Sequence, residues 1–139
     1  MKSILTIILT YFFIFTTGLT AKPISETLFL RGSFNNWGTN HSFKFQPKTG
    51  TYQTSLKLDQ GKFEFKISDT RWSGKRTYSG AQKASTILKL NKETQLVAEA
   101  VGFGNNTRVT IAKPGTYRFL LRFDTEGKGF LKVLPIAAH

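Results

Sequence analysis

Along much of the chain, hydrophobic positions recur every second residue over short stretches, the pattern of β-strands with one face buried and one in solvent. Lys62-Phe63-Glu64-Phe65-Lys66-Ile67 alternates charged and apolar side chains without a break. It predicts Phe63, Phe65 and Ile67 on a core face and Lys62, Glu64 and Lys66 on the other. Residues 116–123 repeat the pattern, with Tyr117, Phe119, Leu121 and Phe123 on one side. Residues 27–34, 52–58, 85–90, 108–112 and 129–134 read as further strands. Turn signals separate them, among them Lys48-Thr49-Gly50, Asp59-Gln60-Gly61, Gly104-Asn105-Asn106, Lys113-Pro114-Gly115 and Glu126-Gly127-Lys128. Residues 94–101 fit either a helical turn or a short strand. About seven to eight short antiparallel strands with turns at this spacing predict an all-β, immunoglobulin-like β-sandwich.

The first 21 residues follow a different pattern. Met1-Lys2-Ser3 is a short positive start, residues 4–17 are apolar or hydroxylic without a charge, and Gly18-Leu19-Thr20-Ala21 ends the run in small residues. This is the pattern of a secretory signal peptide cleaved near Ala21, and the run is shorter than the ~20 residues of a spanning helix. One sandwich domain is then expected over residues 22–135, followed by a tail over 136–139. The product is expected to be exported, to the periplasm or the cell exterior, with no membrane span after cleavage.

Composition narrows the chemistry. The 139 residues include 13 Phe but no Cys and only two His, His41 and His139, which excludes disulfides, thiolate metal sites and a cysteine nucleophile. The eight acids form no recognisable catalytic pair and no metal-ligand spacing, so neither enzymatic activity nor a cofactor or metal is expected. Twenty Lys and Arg against eight Asp and Glu give a formal charge of +12, and removing the signal peptide takes one lysine and no acid, leaving +11. Much of this charge falls at alternate strand positions such as Lys57, Lys62, Lys66, Arg118, Arg122 and Lys132, as expected of solvent faces and edge strands. The densest local group, Arg71, Lys75 and Arg76, surrounds Trp72.

Binding needs only a shaped face with aromatic platforms and a few orienting polar groups. Trp37, Trp72, Tyr78 and Phe103 stand outside the clean core alternation, and both tryptophans lie in polar, turn-rich segments. Sugars, which combine flat C–H patches with hydroxyls, suit such platforms.

The segment Leu28-Phe29-Leu30-Arg31-Gly32-Ser33-Phe34-Asn35-Asn36-Trp37-Gly38 resembles the opening strand and turn of family 48 carbohydrate-binding modules. That family includes the glycogen-binding domain of the AMP-activated protein kinase β subunit and modules at the N-termini of pullulanases. Gly50 to Leu56 and Gly61 to Ile67 resemble its next two strands. Asp69-Thr70-Arg71-Trp72 resembles its turn ending in a second tryptophan, and Gly104-Asn105-Asn106-Thr107 its Asn-bearing loop. The closing Pro114-Gly115-Thr116-Tyr117-Arg118-Phe119 is most similar to pullulanase-associated modules. The resemblance implies a small β-sandwich that binds α-1,4-linked glucan, with Trp37 and Trp72 stacking on glucose rings and Lys66 and Asn105 bonding hydroxyls. Asn36, Arg71, Tyr78, Phe103 and Asn106 are additional candidate contacts.

Two other readings stay open. The same fold could act as an interaction domain with a degenerate sugar face, docking on a separate glycoside hydrolase or another exported protein. The charge could instead serve an anionic polysaccharide; nucleic acid is not expected as a partner of an exported protein.

Overall fold

The computed structural model describes residues 24–80 and 86–137; the expected signal peptide and the last two residues lie outside them. Among the described residues ten strands follow in chain order: β1 Phe29–Gly32, β2 Lys44–Gln46, β3 Thr51–Leu58, β4 Gly61–Ser68, β5 Ser79–Gly80, β6 Ile87–Leu88, β7 Thr94–Val97, β8 Thr107–Ile111, β9 Gly115–Phe123 and β10 Gly129–Pro135. They form two sheets, a smaller one ordered β1-β4-β8-β6 and a larger one ordered β2-β3-β9-β10-β7-β5. All pairings between these strands are antiparallel except β6 with β8, which run parallel. No helix among the described residues is long and apolar enough to cross a membrane.

The alternation in the sequence is the alternation between the layers. Tyr117, Phe119 and Leu121 of β9, with Leu131 and Val133 of β10, point inward from the large sheet and are buried. They meet Leu30, Phe65, Ile67, Val109 and Ile111 of the small sheet. Phe65 and Phe119 join the layers edge to face, with ring centroids 5.5 Å apart at 86°, a favoured aromatic geometry. Phe63 is only half-buried and packs against Phe34 at 5.9 Å. Tyr78, a candidate contact, packs on Phe123 at 5.4 Å and bridges Ile67 antiparallel, so it belongs to the core margin.

Residues 94–101, which periodicity left ambiguous, hold β7, paired with the edge of β10. Strands β2 and β5 are too short to show a period and were not legible in the sequence. Tyr117 Oη donates to the Lys113 carbonyl at 2.6 Å and ties the turn before β9 to its first buried residue.

Gly32 sets how closely β1 lies on β4. A Cβ there would stand 2.5 Å from the Glu64 carbonyl oxygen and 2.7 Å from Phe65 Cβ, neither of which can swing aside. Its φ of −160° is ordinary extended backbone, so the requirement is for space and not for conformation. Gly32→Ala should therefore destabilise the protein by about 1–3 kcal/mol in urea or thermal unfolding. Gly115→Ala, whose Cβ meets nothing within 4 Å, should change stability by less than about 0.5 kcal/mol.

Candidate functional site

Because strand residues alternate, Arg31 on β1 points away from the core between the inward Leu30 and the tightly packed Gly32. Its register partner across the sheet is Lys66 of β4, so the two cations stand side by side on the outer face of the small sheet. Both are nevertheless buried, Arg31 at 9% and Lys66 at 2% exposure, because loops fold back over this face.

The first cover is the turn after β1. Ser33–Asn35 form one 3₁₀ turn, and Asn36 and Trp37 then take left-handed backbone with φ of 56° and 59°. Trp37 N donates to the Gly32 carbonyl at 2.8 Å and Gly38 N to the Asn35 carbonyl at 3.0 Å. The Asn35 side chain replaces missing strand partners: Oδ1 accepts from Gly32 N at 2.9 Å and Nδ2 donates to the Leu30 carbonyl at 2.8 Å. His41, without an evident partner in the sequence, has its ring Nδ1 3.2 Å from Asn35 Nδ2, and burial lowers its pKa.

The second cover is the turn after β4, organised by Asp69. Its Oδ1 accepts from Arg71 N at 3.1 Å and Ser73 N at 2.9 Å, and Trp72 between them is left-handed with φ of 57°. Burial raises the Asp69 pKa, but hydrogen bonds from Ser73 and Arg71 and the nearby Arg76 charge lower it further, leaving it below the ordinary value.

These two turns bring Trp37 and Trp72 together, with ring centroids 6.3 Å apart and planes at 50°. Arg31 fastens the arrangement from below. Its Nε donates to the Trp37 carbonyl at 2.8 Å, and Nη1 donates to the carbonyls of Asp69 at 2.9 Å and Thr70 at 3.3 Å. Its guanidinium carbon lies 3.9 Å from the Trp72 ring centroid, a cation–π contact covering one face of that indole. A bulky residue at positive φ is an outlier costing on the order of 1–3 kcal/mol. Charge-assisted bonds of about 1.5–3 kcal/mol each can offset that cost at both turns. Desolvation lowers the Arg31 pKa, with Asp69 opposing.

The tryptophans stand on a groove of about 650 Å³, within the range of ligand sites. Glu64, Lys66, Phe103, the two flanking glycines and Asn106 complete its lining. Lys66 does face away from the core, but it is covered, and its Nζ donates to the Gly102 carbonyl at 2.6 Å. Burial lowers its pKa. Lys66 thus holds down the loop over residues 101–104, where Phe103 is fully exposed between glycines with φ of 89° and 97°.

Of the two neighbouring asparagines, Asn106 and not Asn105 lines the groove. Asn105 is exposed and left-handed, and its carbonyl accepts a bond from Ser79 Oγ. Asn36 and Arg71 are exposed in the two turns and outside the groove lining. Glu64 is held by Arg108 at 2.8 Å across the sheet. Arg31 was not legible as a functional residue, since one cation in a strand gives no sign that two later turns will bury it.

No protein-family model matches the sequence, and no curated protein matches it. Among solved structures, the chain is similar to one described as the ligand-induced structure of AmyP-SBD, a starch-binding domain. The TM-score is 0.53 at 22% identity, covering 83% of this chain and 75% of that one. At this identity the likeness establishes a shared fold.

Removing the Arg31 fork should release both turns. Arg31→Gln should lower stability by about 2–4 kcal/mol through lost charge-assisted bonds. It should also abolish the exciton signal in far-ultraviolet circular dichroism expected of two indoles at this separation. Arg31→Lys should rescue neither, because a point ammonium cannot reach carbonyls in both turns from one plane.

The Asp69 turn carries a pH dependence. Its folded pKa lies below the unfolded value, so its stabilisation is complete above the ordinary carboxylate value of about 3.9 and is lost as pH falls through the depressed one. The stability gap between wild type and Asp69→Asn, measured by urea unfolding, should be widest near neutral pH and close below about pH 4.

Proposed function

We propose that the protein is an exported, non-catalytic module of the family 48 type that binds α-1,4-linked glucan such as glycogen, starch or maltodextrin. The observation that carries this reading is the Trp37–Trp72 pair, its rings 6.3 Å apart and inclined at 50° along one groove. Sugar rings present C–H faces that pack on indole. Inclined platforms follow a chain that curves, as α-1,4-glucan does, whereas the flat ribbon of a β-1,4-glucan suits coplanar ones. The opening motif, the shared fold of a starch-binding domain and the placement of both tryptophans support the same reading.

Each lining group has a role in such a complex. Trp37 and Trp72 stack on successive glucose rings, with Arg31 backing Trp72 so that its outer face meets the sugar. Asn106 and Glu64 offer a mixed amide and carboxylate edge to hydroxyls. Lys66 lines the groove, and its ammonium has three donors, one of which is given to the Gly102 carbonyl. Phe103 stands at the opening as an apolar contact. A second reading, docking on a partner protein, is favoured by the same full exposure of Phe103 beside the half-exposed Val101.

Calorimetry and affinity electrophoresis with glycogen, β-cyclodextrin and maltoheptaose test the proposal, with cellohexaose as the flat comparison. Wild type should bind the three α-glucans and not cellohexaose, with little change between low and physiological salt. Trp37→Ala and Trp72→Ala should each weaken binding at least tenfold, about 1.4 kcal/mol, while remaining folded. Absence of binding by wild type to all three α-glucans would overturn the glucan reading and leave the docking one.

A further inference from the structure

The outer face of the large sheet lies on the opposite side of the sandwich from the groove, and strand register shows how its charges are arranged. One row runs Lys44–Gln53–Leu120–Lys132 across β2, β3, β9 and β10. A second runs Ser55–Arg118–Leu134, and at their two ends lie Lys57 opposite Thr116 and Arg122 opposite Phe130. Five cations thus occupy this face, and no acid stands in these rows. Arg122 makes a two-pronged pair with Glu93 at 2.6 and 2.8 Å, and Glu93 also lies near enough to Lys132 to feel its charge, which leaves Lys44, Lys57 and Arg118 with no acid in these rows.

The two outer faces differ in kind. On the small sheet, Glu64 stands opposite Arg108 and pairs with it. On the large sheet, Lys44, Lys57, Arg118 and Lys132 each face an uncharged cross-strand partner. With strands about 4.8 Å apart and about 3.4 Å per residue along each, Arg118 stands roughly 8 Å from Lys57 and from Lys132, near the ~8 Å screening length of physiological salt, so their fields add, while Lys44 extends the basic surface at the β2 edge.

Two further observations point to a ligand on this face. Arg118 Nε is buried and meets no acceptor, a rare state for a side-chain donor. Beside it, across the Ser55 register position, lies a shallow hollow of about 250 Å³ lined by Lys44, Gln46, Gln53 and Ser55 among others.

We propose that this face is a second binding surface, for an acidic polysaccharide whose carboxylate or sulfate groups meet Arg118, Lys44 and Lys132 while its hydroxyls meet Gln53 and Ser55. An anionic group in the hollow meets Lys44 directly, while Arg118, partly exposed beside the hollow, offers its guanidinium from the neighbouring strand. The face does not fit a membrane surface or a protein interface core: its apolar members, Leu120, Leu134 and Phe130, are only partly exposed and stand between cations. With the groove on the other side, one sandwich can hold a neutral and an acidic glycan at once.

The test is retention of the mature protein on immobilised polygalacturonate and dextran sulfate, with neutral dextran as blank, across a salt series. Wild type should be retained on both acidic polymers, with affinity falling steeply as salt rises. Lys44→Gln/Arg118→Gln/Lys132→Gln should lose at least tenfold, and Lys44→Gln/Lys132→Gln most of that. A control of equal charge loss elsewhere, Lys62→Gln/Lys75→Gln/Lys89→Gln, should stay within twofold of wild type. Equal losses in face and control variants would reduce the effect to net charge and overturn the proposal. So would no retention of wild type, or binding to phosphatidylglycerol vesicles in place of both polymers. Glycogen binding is read separately, so neither site's failure masks the other's.

Discussion

The edge-to-face contact of Phe65 with Phe119 is where the two sheets are joined, and the placement of nearly everything else follows from it. Phe34, in the turn after β1, closes on both rings at 6.3 and 6.4 Å and so ties that turn to the interior. With Phe34 fixed inward, Asn36 and Trp37 must leave the sheet within a few residues, and left-handed backbone is the short route. The core thus decides not only that the small sheet packs but where its first tryptophan emerges.

The two buried cations on the outer side of that sheet are held mainly by backbone dipoles. Arg31 is satisfied chiefly by backbone carbonyls, and Lys66 donates to another. Neutral dipoles can hold a buried cation without a carboxylate partner, and they belong to the very turns that carry the two tryptophans. Orientation of the indoles and solvation of the guanidinium are therefore one event: neither turn can shift without stripping a partner from Arg31. This coupling explains how two tryptophans keep unfavourable backbone conformations side by side in loops.

The long strands were legible because burial on one face imprints a period of two, as β4 and β9 show. Strands β2 and β5, of three and two residues, leave no such imprint and exist only because β3 and β7 offer them an edge. The tryptophans could be singled out as aromatics in polar surroundings, whereas the depth of Lys66 could not. Alternation assigns a side chain to a face, but whether a loop later covers that face depends on contacts distant in sequence, here Lys66 with Gly102. That Asn106 lines the groove while Asn105 is exposed beside it was likewise beyond what two adjacent asparagines in a turn can show. The basic face of the large sheet was visible as scattered cations, and only register revealed that most of them lack an acidic neighbour.

The order of strands also sets how the molecule is assembled. The β1–β4 pair and both tryptophan turns lie within residues 29–73, so their contacts are comparatively local. The large sheet instead waits for β9, whose Leu121 pairs with Tyr52 and whose Gly115 pairs with Leu58, partners far back in sequence. Folds dominated by such distant pairings form in roughly milliseconds to seconds, because a long loop must close before its contacts reward it. Until β9 arrives, β3 presents an unpaired edge and an uncovered apolar face, and at that stage of folding Lys57 and Lys44 are the charges that discourage pairing with another chain.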